Sequence, residues 1–93
     1  MLEVTQNNWE TKGEFVATFD GKPAGLMTYS RAGEDRIIID HTEVEPAYNG
    51  KGVGKAMVYK AVEFARDQNL KIIPLCPFAK ATFQKNEEIR DVL

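Results

Sequence analysis

The sequence predicts one α+β domain over residues 1–93, built on a mostly antiparallel sheet. Three observations lead to this prediction. Segments of alternating polarity, separated by tight turns, fill the stretch from Glu14 to Val44. The apolar period then changes to that of a helix after Gly54. A short apolar segment, Lys71 to Cys76, follows that helix, and a chain of 93 residues has room for one core.

The first strands alternate in polarity and are rich in β-branched residues. Glu14–Asp20 and Ala24–Arg31 are predicted to pair through a tight turn at Gly21–Lys22. A second turn, Ala32–Asp35, leads into a third strand, Arg36–Val44. Connections this short cannot make parallel crossovers, so the three strands are expected to form an antiparallel meander.

One apolar stripe runs along Gly54–Asn69 and predicts an amphipathic helix; its members are Met57, Val58, Ala61, Val62 and Ala65. The next strand, Lys71–Cys76, is therefore expected to lie parallel to the third strand after a right-handed crossover. Pro74 within it indicates an edge, a bulge or a splayed strand, because proline cannot donate to the ladder. Pro77 fits the first turn of a last helix, Phe78 to about Asn86.

Composition narrows the classes of function. Twelve basic and 14 acidic side chains give a formal charge of −2, so neither nucleic acid nor a membrane surface is an expected partner. The start of the chain resembles no signal peptide, although residues 2–6 are compatible with an added edge strand. The single cysteine, Cys76, cannot form an internal disulfide, and with one histidine it makes no metal site. A cytoplasmic location is expected.

A glycine-rich turn, "YNGKGVGKAMV" from Tyr48 to Val58, opens the predicted helix. The first helical turn has backbone N–H groups without partners, and the helix dipole is positive there, so this arrangement suits a phosphate group. Lys51 and Lys55 add positive charge. The alternative interpretation is a turn in which the glycines only satisfy backbone angles. No Gly-Lys-Ser/Thr follows, so the segment is not the phosphate loop of nucleotide hydrolases.

The same segment resembles the coenzyme-A-binding motif of the GNAT superfamily of N-acetyltransferases, Gln/Arg-x-x-Gly-x-Gly/Ala. Gly52 and Gly54 match its two small positions, while Asn49 replaces the usual Gln or Arg. Three segments in order, "DHTEVEP", "GKGVGKAMV" and "IIPLCPFAKATF", look like a very small acetyltransferase-like group with a Cys-Pro-Phe segment. The resemblance extends from about Asp20 to Leu93.

This resemblance implies a compact GNAT-type fold and acetyl-CoA (coenzyme A) as the cofactor. It places the pyrophosphate on the backbone of the loop: Asn49, Gly50, Lys51, Gly52, Val53, Gly54 and Lys55. Glu43 and Val44, at the end of the third strand, are expected to pair with the pantetheine arm. The implied function is acetyl-CoA-dependent N-acetylation. The alternative is an acyl-CoA-binding module without catalysis.

The chemistry cannot be carried over directly from the family. Many GNAT enzymes protonate the leaving sulfur with a tyrosine, and the matching position here is Phe83. Cys76 is the alternative, because a thiol just before the helix start at Pro77 is placed to favour thiolate. It can accept the acetyl group or act as the acid. The alternative interpretation is a buried small hydrophobe.

His41 is the only histidine, and it is a second catalytic candidate. It can deprotonate an amine or orient Cys76. Strand alternation places it with Ile37 and Ile39, so the alternative is a packed residue. Glu43 shares its face and is a candidate base. The helices that shape the acceptor site in typical superfamily members are missing, which implies an open cleft. The amine acceptor, a small molecule or a protein, cannot be read from the sequence.

Overall fold

The computed structural model describes all 93 residues as one five-stranded sheet with two α-helices. The strands lie in the sheet in chain order: β1 (Leu2–Asn8), β2 (Lys12–Phe19), β3 (Lys22–Arg31), β4 (Arg36–Val44) and β5 (Lys71–Pro74). The helices are α1 (Val53–Gln68) and α2 (Pro77–Lys85), and short 3-10 helices occupy Pro46–Tyr48 and Glu87–Val92. The predicted α+β class is confirmed.

Strands β1 to β4 form an antiparallel meander, as predicted, and residues 2–6 belong to the edge strand β1. The turn between β2 and β3 lies one residue earlier than predicted. Asp20 and Gly21 both have positive φ, at 52° and 80°, which is typical of a two-residue type I′ hairpin turn. Lys22 is thus the first residue of β3 and not part of the turn.

A β-bulge in β4 changes the direction of the side chains that follow it. Thr28 pairs with His41, but the next residue of β3, Tyr29, pairs with Ile39. Asp40 is therefore the extra residue, and the inward parity shifts by one position after Ile39. The expectation that His41 packs with the inward isoleucines of β4 is wrong, since the His41 side chain is 60% exposed.

Helix α1 covers one face of the sheet and completes the core. Twenty buried apolar residues from the sheet, both α-helices and the final 3-10 segment form one cluster. Gly25 of β3 allows close approach of α1, because a Cβ there would lie 2.9 Å from Met57 Cε and 3.0 Å from Val53 Cγ1. The predicted apolar stripe of α1 is buried. The helix begins and ends one residue earlier than predicted.

Strand β5 is short, and it diverges from β4. The two strands run parallel, as predicted, but their pairing ends at Ile39 and Pro74. The amides of Leu75 and Cys76 both lie 3.2 Å from the carbonyl oxygen of Ile39, so β4 continues alone beyond this point. β5 ends two residues before the predicted bound at Cys76, and the prediction that Pro74 marks an edge or splayed strand is confirmed.

The C-terminal residues close the core beside α1. Glu87–Val92 form a 3-10 segment, and its Ile89 and Val92 are buried in the cluster. Arg66 holds this segment from α1, since its guanidinium contacts the Asp91 carboxylate at 2.6 Å and the Glu88 carbonyl oxygen at 2.9 Å. Neither α1 nor α2 is both long and apolar enough to pass through a lipid bilayer.

Candidate functional site

The loop before α1 adopts the backbone conformation that its glycines permit. Gly50 and Gly52 have φ values of 78° and 77°, in the left-handed region that side chains with a Cβ rarely adopt. Gly52 is the N-cap residue of α1, and apart from its two chain neighbours no residue comes within 4 Å of where its Cβ would be. The chain can therefore turn into the helix while its backbone stays open to an approaching group.

Several N–H groups at this helix start have no internal partner. The first helical hydrogen bond runs from Ala56 N to Gly52 O at 2.9 Å, so the amides of Val53, Gly54 and Lys55 are free. No side chain caps the helix, and its first turn contains no acidic residue. The positive end of the helix dipole is therefore uncompensated and suits an anion.

The amides of Asn49 and Lys51 are less available than the sequence predicts. Asn49 N lies 3.3 Å from Pro46 O, and Lys51 N lies 3.3 Å from Tyr48 O, so both amides take part in the preceding turn. The Gly50 and Gly52 amides have no such backbone bond. The unpaired donors of the predicted loop are thus the amides of its glycines together with the first helical turn.

The loop forms one side of a small cleft of about 220 Å³. Val44 from the end of β4 and Phe78 from the first turn of α2 line it from the other elements. The Phe78 ring lies against Gly54, because a Cβ on Gly54 would be 2.3 Å from its Cζ atom. Gly54 is therefore required for the packing of α2 on α1, in addition to any contact with a ligand.

Cys76 lies where β4 and β5 separate, and it is 5% exposed. It is the N-cap residue of α2, and its Sγ is 3.3 Å from Oγ1 of Thr42 on β4. Burial raises the pKa of the Cys76 thiol. Hydrogen bonds from the Thr42 hydroxyl and from the backbone amides of Ala79, Phe78 and Thr42 outweigh burial, so the pKa of the thiol lies below its ordinary value.

His41 and Glu43 form a pair on the opposite face of the sheet. Nε2 of His41 is 2.9 Å from Oε1 of Glu43, and both side chains are exposed. Thr42, between them in sequence, points to the face that carries Cys76, since it pairs with the buried Met27. The structure therefore brings Cys76 to Thr42 but does not bring it to His41, and the hypothesis that His41 orients the thiol has no contact to support it.

A family model described as GCN5-related N-acetyl-transferase matches residues 14–92, which is most of the chain. The chain belongs to this family. It is 32% identical over 69 residues to an uncharacterized N-acetyltransferase from Methanocaldococcus jannaschii, a match that covers 68% of this chain and 30% of that protein. The chain thus spans about a third of the length of this curated relative, and 54–56% of the length of several others.

Solved structures of this family share the fold. An NMR structure of a GCN5-like protein from Staphylococcus aureus matches with a TM-score of 0.71 and 36% identity, over 98% of this chain and 86% of that one. A GNAT family acetyltransferase from Elizabethkingia anophelis, crystallised with acetyl-CoA bound, matches with a TM-score of 0.63 and 12% identity, over 69% of this chain and 42% of that one. The predicted GNAT-type fold is confirmed.

Two contacts at the site were not predicted from the sequence, and the structure also shows where Phe83 lies. Thr42 and Phe78 carried no local signal, because each acts through a tertiary contact, to Cys76 and to Gly54 respectively. Phe83, at the position of the GNAT tyrosine implied by the resemblance, is 2% exposed within the core. A phenylalanine has no acidic proton, whereas the Cys76 thiol and the Thr42 hydroxyl both lie beside the gap between β4 and β5, 3.3 Å from each other.

Proposed function

We propose that this chain is an acetyl-CoA-dependent N-acetyltransferase in which Cys76 takes up the acetyl group and passes it to an amine. The observation that carries the proposal is the position of the Cys76 thiol, with its lowered pKa, in the gap between β4 and β5. Membership of the GCN5-related family supports the use of acetyl-CoA.

The cofactor-binding part of the proposal rests on the loop. The free amides of Gly50, Gly52, Val53, Gly54 and Lys55 bind the diphosphate of coenzyme A, assisted by the dipole of α1. Lys51 supplies positive charge on the same loop, and Lys55 does so from the first turn of α1, where its ammonium lies 5.4 Å from the Tyr59 ring centroid. The fit is good because the space beside Gly50 and Gly52 is empty and no acidic residue of the first turn repels an anion.

The pantetheine part rests on the open edge of β4. Its residues beyond Ile39 have no partner from β5, so backbone groups near Glu43 and Val44 are free to pair with an extended amide-containing arm. Val44 also lines the cleft beside the glycine loop, which connects this edge to the diphosphate position. In this proposal the thioester end of the arm lies next to Cys76, at the point where β4 and β5 separate.

In the proposed first step the Cys76 thiolate adds to the carbonyl carbon of the acetyl thioester. A new C–Sγ bond forms, the bond to the coenzyme A sulfur breaks, and coenzyme A leaves as a thiolate that takes a proton from solvent. Hydrogen bonds from Thr42 and the first turn of α2 lower the pKa of the Cys76 thiol and so increase its thiolate fraction.

In the second step a neutral amine adds to the acetyl-cysteine. The C–N bond forms, the C–Sγ bond breaks, and the Cys76 thiolate is restored. The amine proton goes to His41, whose imidazole is held by the Glu43 carboxylate at 2.9 Å on the face from which an acceptor can approach. His41 thus serves the amine and not the thiol.

An acyl-CoA-binding module without catalysis is the second candidate. The burial of Phe83 favours it, because the family's usual acid is replaced by a core side chain. Both candidates share the glycine loop and differ at Cys76. They are separated by mass spectrometry of the protein after incubation with acetyl-CoA.

The expected result is one added acetyl group on the peptide that contains Cys76, and none in Cys76→Ala. Alanine removes the nucleophile while leaving a small apolar side chain, so the variant is expected to fold and to bind coenzyme A. Binding of acetyl-CoA without any acetyl group on Cys76 would favour the module.

A further inference from the structure

One face of the sheet has no helix packed on it. Register places Glu14, Thr28 and His41 in one cross-strand row, and Val16, Leu26 and Glu43 in the next. These rows alternate with the buried positions that meet α1, so their side chains point away from both α-helices. We call the surface formed by these six residues, together with Asp40, the open face.

The open face contains two separate, open clefts. The first, of about 470 Å³, is lined by Trp9, Glu10, Lys12, Glu14, Thr28 and Asp40. The second, of about 510 Å³, is lined by Val16, Pro23, Leu26, Glu43, Glu45 and Pro46. Glu14 and Val16 are two residues apart on β2 and share a face, so the two clefts follow each other along the strands. We call the two clefts together the groove.

The groove is acidic, and most of its charges have no counter-ion. Its lining carboxylates are Glu10, Glu14, Asp40, Glu43 and Glu45, against a single lysine, Lys12. Asp40 accepts a hydrogen bond from Ser30 Oγ at 2.6 Å, and Glu14 accepts one from Asn7 Nδ2 at 3.0 Å. Both of these partners are neutral. Of the five carboxylates, Glu43 alone contacts a basic side chain, that of His41.

The groove also contains apolar surface, from hydrophobic and aromatic side chains. Val16 and Leu26 are half-buried at its floor, and the Trp9 side chain lies at one end with 59% of its surface exposed. An exposed indole next to carboxylates can bind a cationic side chain through its ring face. The apolar floor, the acidic residues and the exposed indole together fit lysine or arginine side chains, which combine an apolar methylene chain with a positive charge.

We infer that the groove binds a basic, lysine-containing segment of another protein in extended conformation and presents its amine to Cys76. This inference rests on the proposed acetyl transfer. From Asp40 to Glu45 the groove follows β4 for roughly 17 Å at about 3.3 Å per residue, the length of about five extended residues. Small-molecule sites are generally enclosed, whereas both clefts here are open, so a peptide fits better than a free amine.

The gap between β4 and β5 connects the groove with the thiol. His41 and Glu43 lie in the open-face rows, while Thr42 between them contacts Cys76 from the other side of the sheet. Beyond Ile39, β5 no longer covers the edge of β4. We place the amine of a lysine bound in the groove beside His41, at the edge of β4 that β5 leaves uncovered.

The test is an NMR titration of the labelled protein with two peptides of equal length. Each peptide has one central lysine, which is flanked by arginines in the first peptide and by glutamates in the second. The expected result is that the arginine-flanked peptide shifts amides of the open face and the glutamate-flanked peptide does not. The double variant Glu14→Gln with Asp40→Asn preserves both hydrogen bonds and removes two charges. It is expected to weaken binding by about twofold to thirtyfold, the combined range for the loss of two exposed ion pairs.

A matched control is Glu63→Gln with Asp67→Asn, which removes two exposed charges from α1, away from the groove. Equal weakening in both variants, or peptide-induced shifts outside the open face, would overturn the inference. So would equally tight binding of spermidine at the same residues, since the acceptor would then be a small amine.

The failure of this inference is distinct from a failure of the proposed function. Acetylation of Cys76 in the wild-type protein is measured with acetyl-CoA alone, without peptide. If the peptide binds the open face and Cys76 is not acetylated, the thiol step is wrong and the docking surface stands.

Discussion

Replacement of Thr42 by valine tests the environment of the thiol most simply. The change removes the hydroxyl whose Oγ1 lies 3.3 Å from Cys76 Sγ and substitutes a methyl group of similar size. The thiol form loses a weak S–H donor bond, whereas the thiolate loses an O–H donor bond to a charged sulfur. The variant therefore destabilises the thiolate selectively, and the pKa of Cys76 rises.

The size of the effect follows from that one bond. A hydrogen bond to a charged group contributes about 1.5–3 kcal/mol. The remaining amide donors of Phe78, Ala79 and Thr42 still stabilise the thiolate in the variant, so the lower end of this range is expected. Since about 1.4 kcal/mol corresponds to a factor of ten, the ratio of thiolate to thiol should fall roughly tenfold.

The assay is the rate of Cys76 alkylation by iodoacetamide as a function of pH. The midpoint in Thr42→Val should move to higher pH, with slower alkylation near neutrality and an unchanged rate at high pH. Thr18→Val is the control, because Thr18 is also a strand threonine on β2 but makes no side-chain hydrogen bond to Cys76. An unchanged midpoint in Thr42→Val, or an equal shift in Thr18→Val, would refute the argument.

Two further predictions concern the loop and the core. Gly52→Val should abolish coenzyme A binding, measured by calorimetry. Gly33→Val is the control, because Gly33 has the same φ of 77° in a turn remote from the loop; this variant should lose similar stability and still bind coenzyme A. Equal affinity in both variants would contradict the diphosphate assignment. Amide hydrogen exchange should be slowest in 37–39 and in Met57–Ala65, because these ranges contribute many of the buried core residues. Exchange should be faster in 40–44, where β5 no longer pairs. Fast exchange throughout α1 would contradict the assigned core.

Local signals in the sequence were sufficient for most of the fold. The meander, α1 and the position of the glycine loop all follow from periodicity and turn residues, which depend on neighbours in sequence. The divergence of β5 was also predictable, because Pro74 cannot donate to the ladder at any position. The bounds differ from those predicted by one or two residues, as at the ends of α1 and β5.

The faces of β4 were not predicted, and the reason is the bulge. Simple alternation assigns His41 to the side of Ile37 and Ile39, but the extra residue Asp40 reverses the parity of everything after it. The sequence contained one signal of this change. Val44 is apolar and packs against the core at an even position, whereas the buried isoleucines occupy odd ones.

Long-range contacts account for the remaining differences. The contact of Thr42 with Cys76 joins residues 34 positions apart, and no local pattern specifies it. The same holds for the Phe78 ring against Gly54, which gives that glycine a packing role in addition to the one implied by the motif. Gly52 is for this reason the better residue with which to test ligand binding.

The most direct test of the central claim is a chase experiment on the isolated acetylated protein. Wild-type protein is incubated with acetyl-CoA, freed of all coenzyme A by gel filtration, and mixed with the arginine-flanked lysine peptide. The account predicts that the acetyl group leaves Cys76 and appears on the peptide amine in a single turnover, with no coenzyme A present. Acetyl-Cys76 that stays intact, while Cys76→Ala transfers acetyl groups from acetyl-CoA at the wild-type rate, would contradict it.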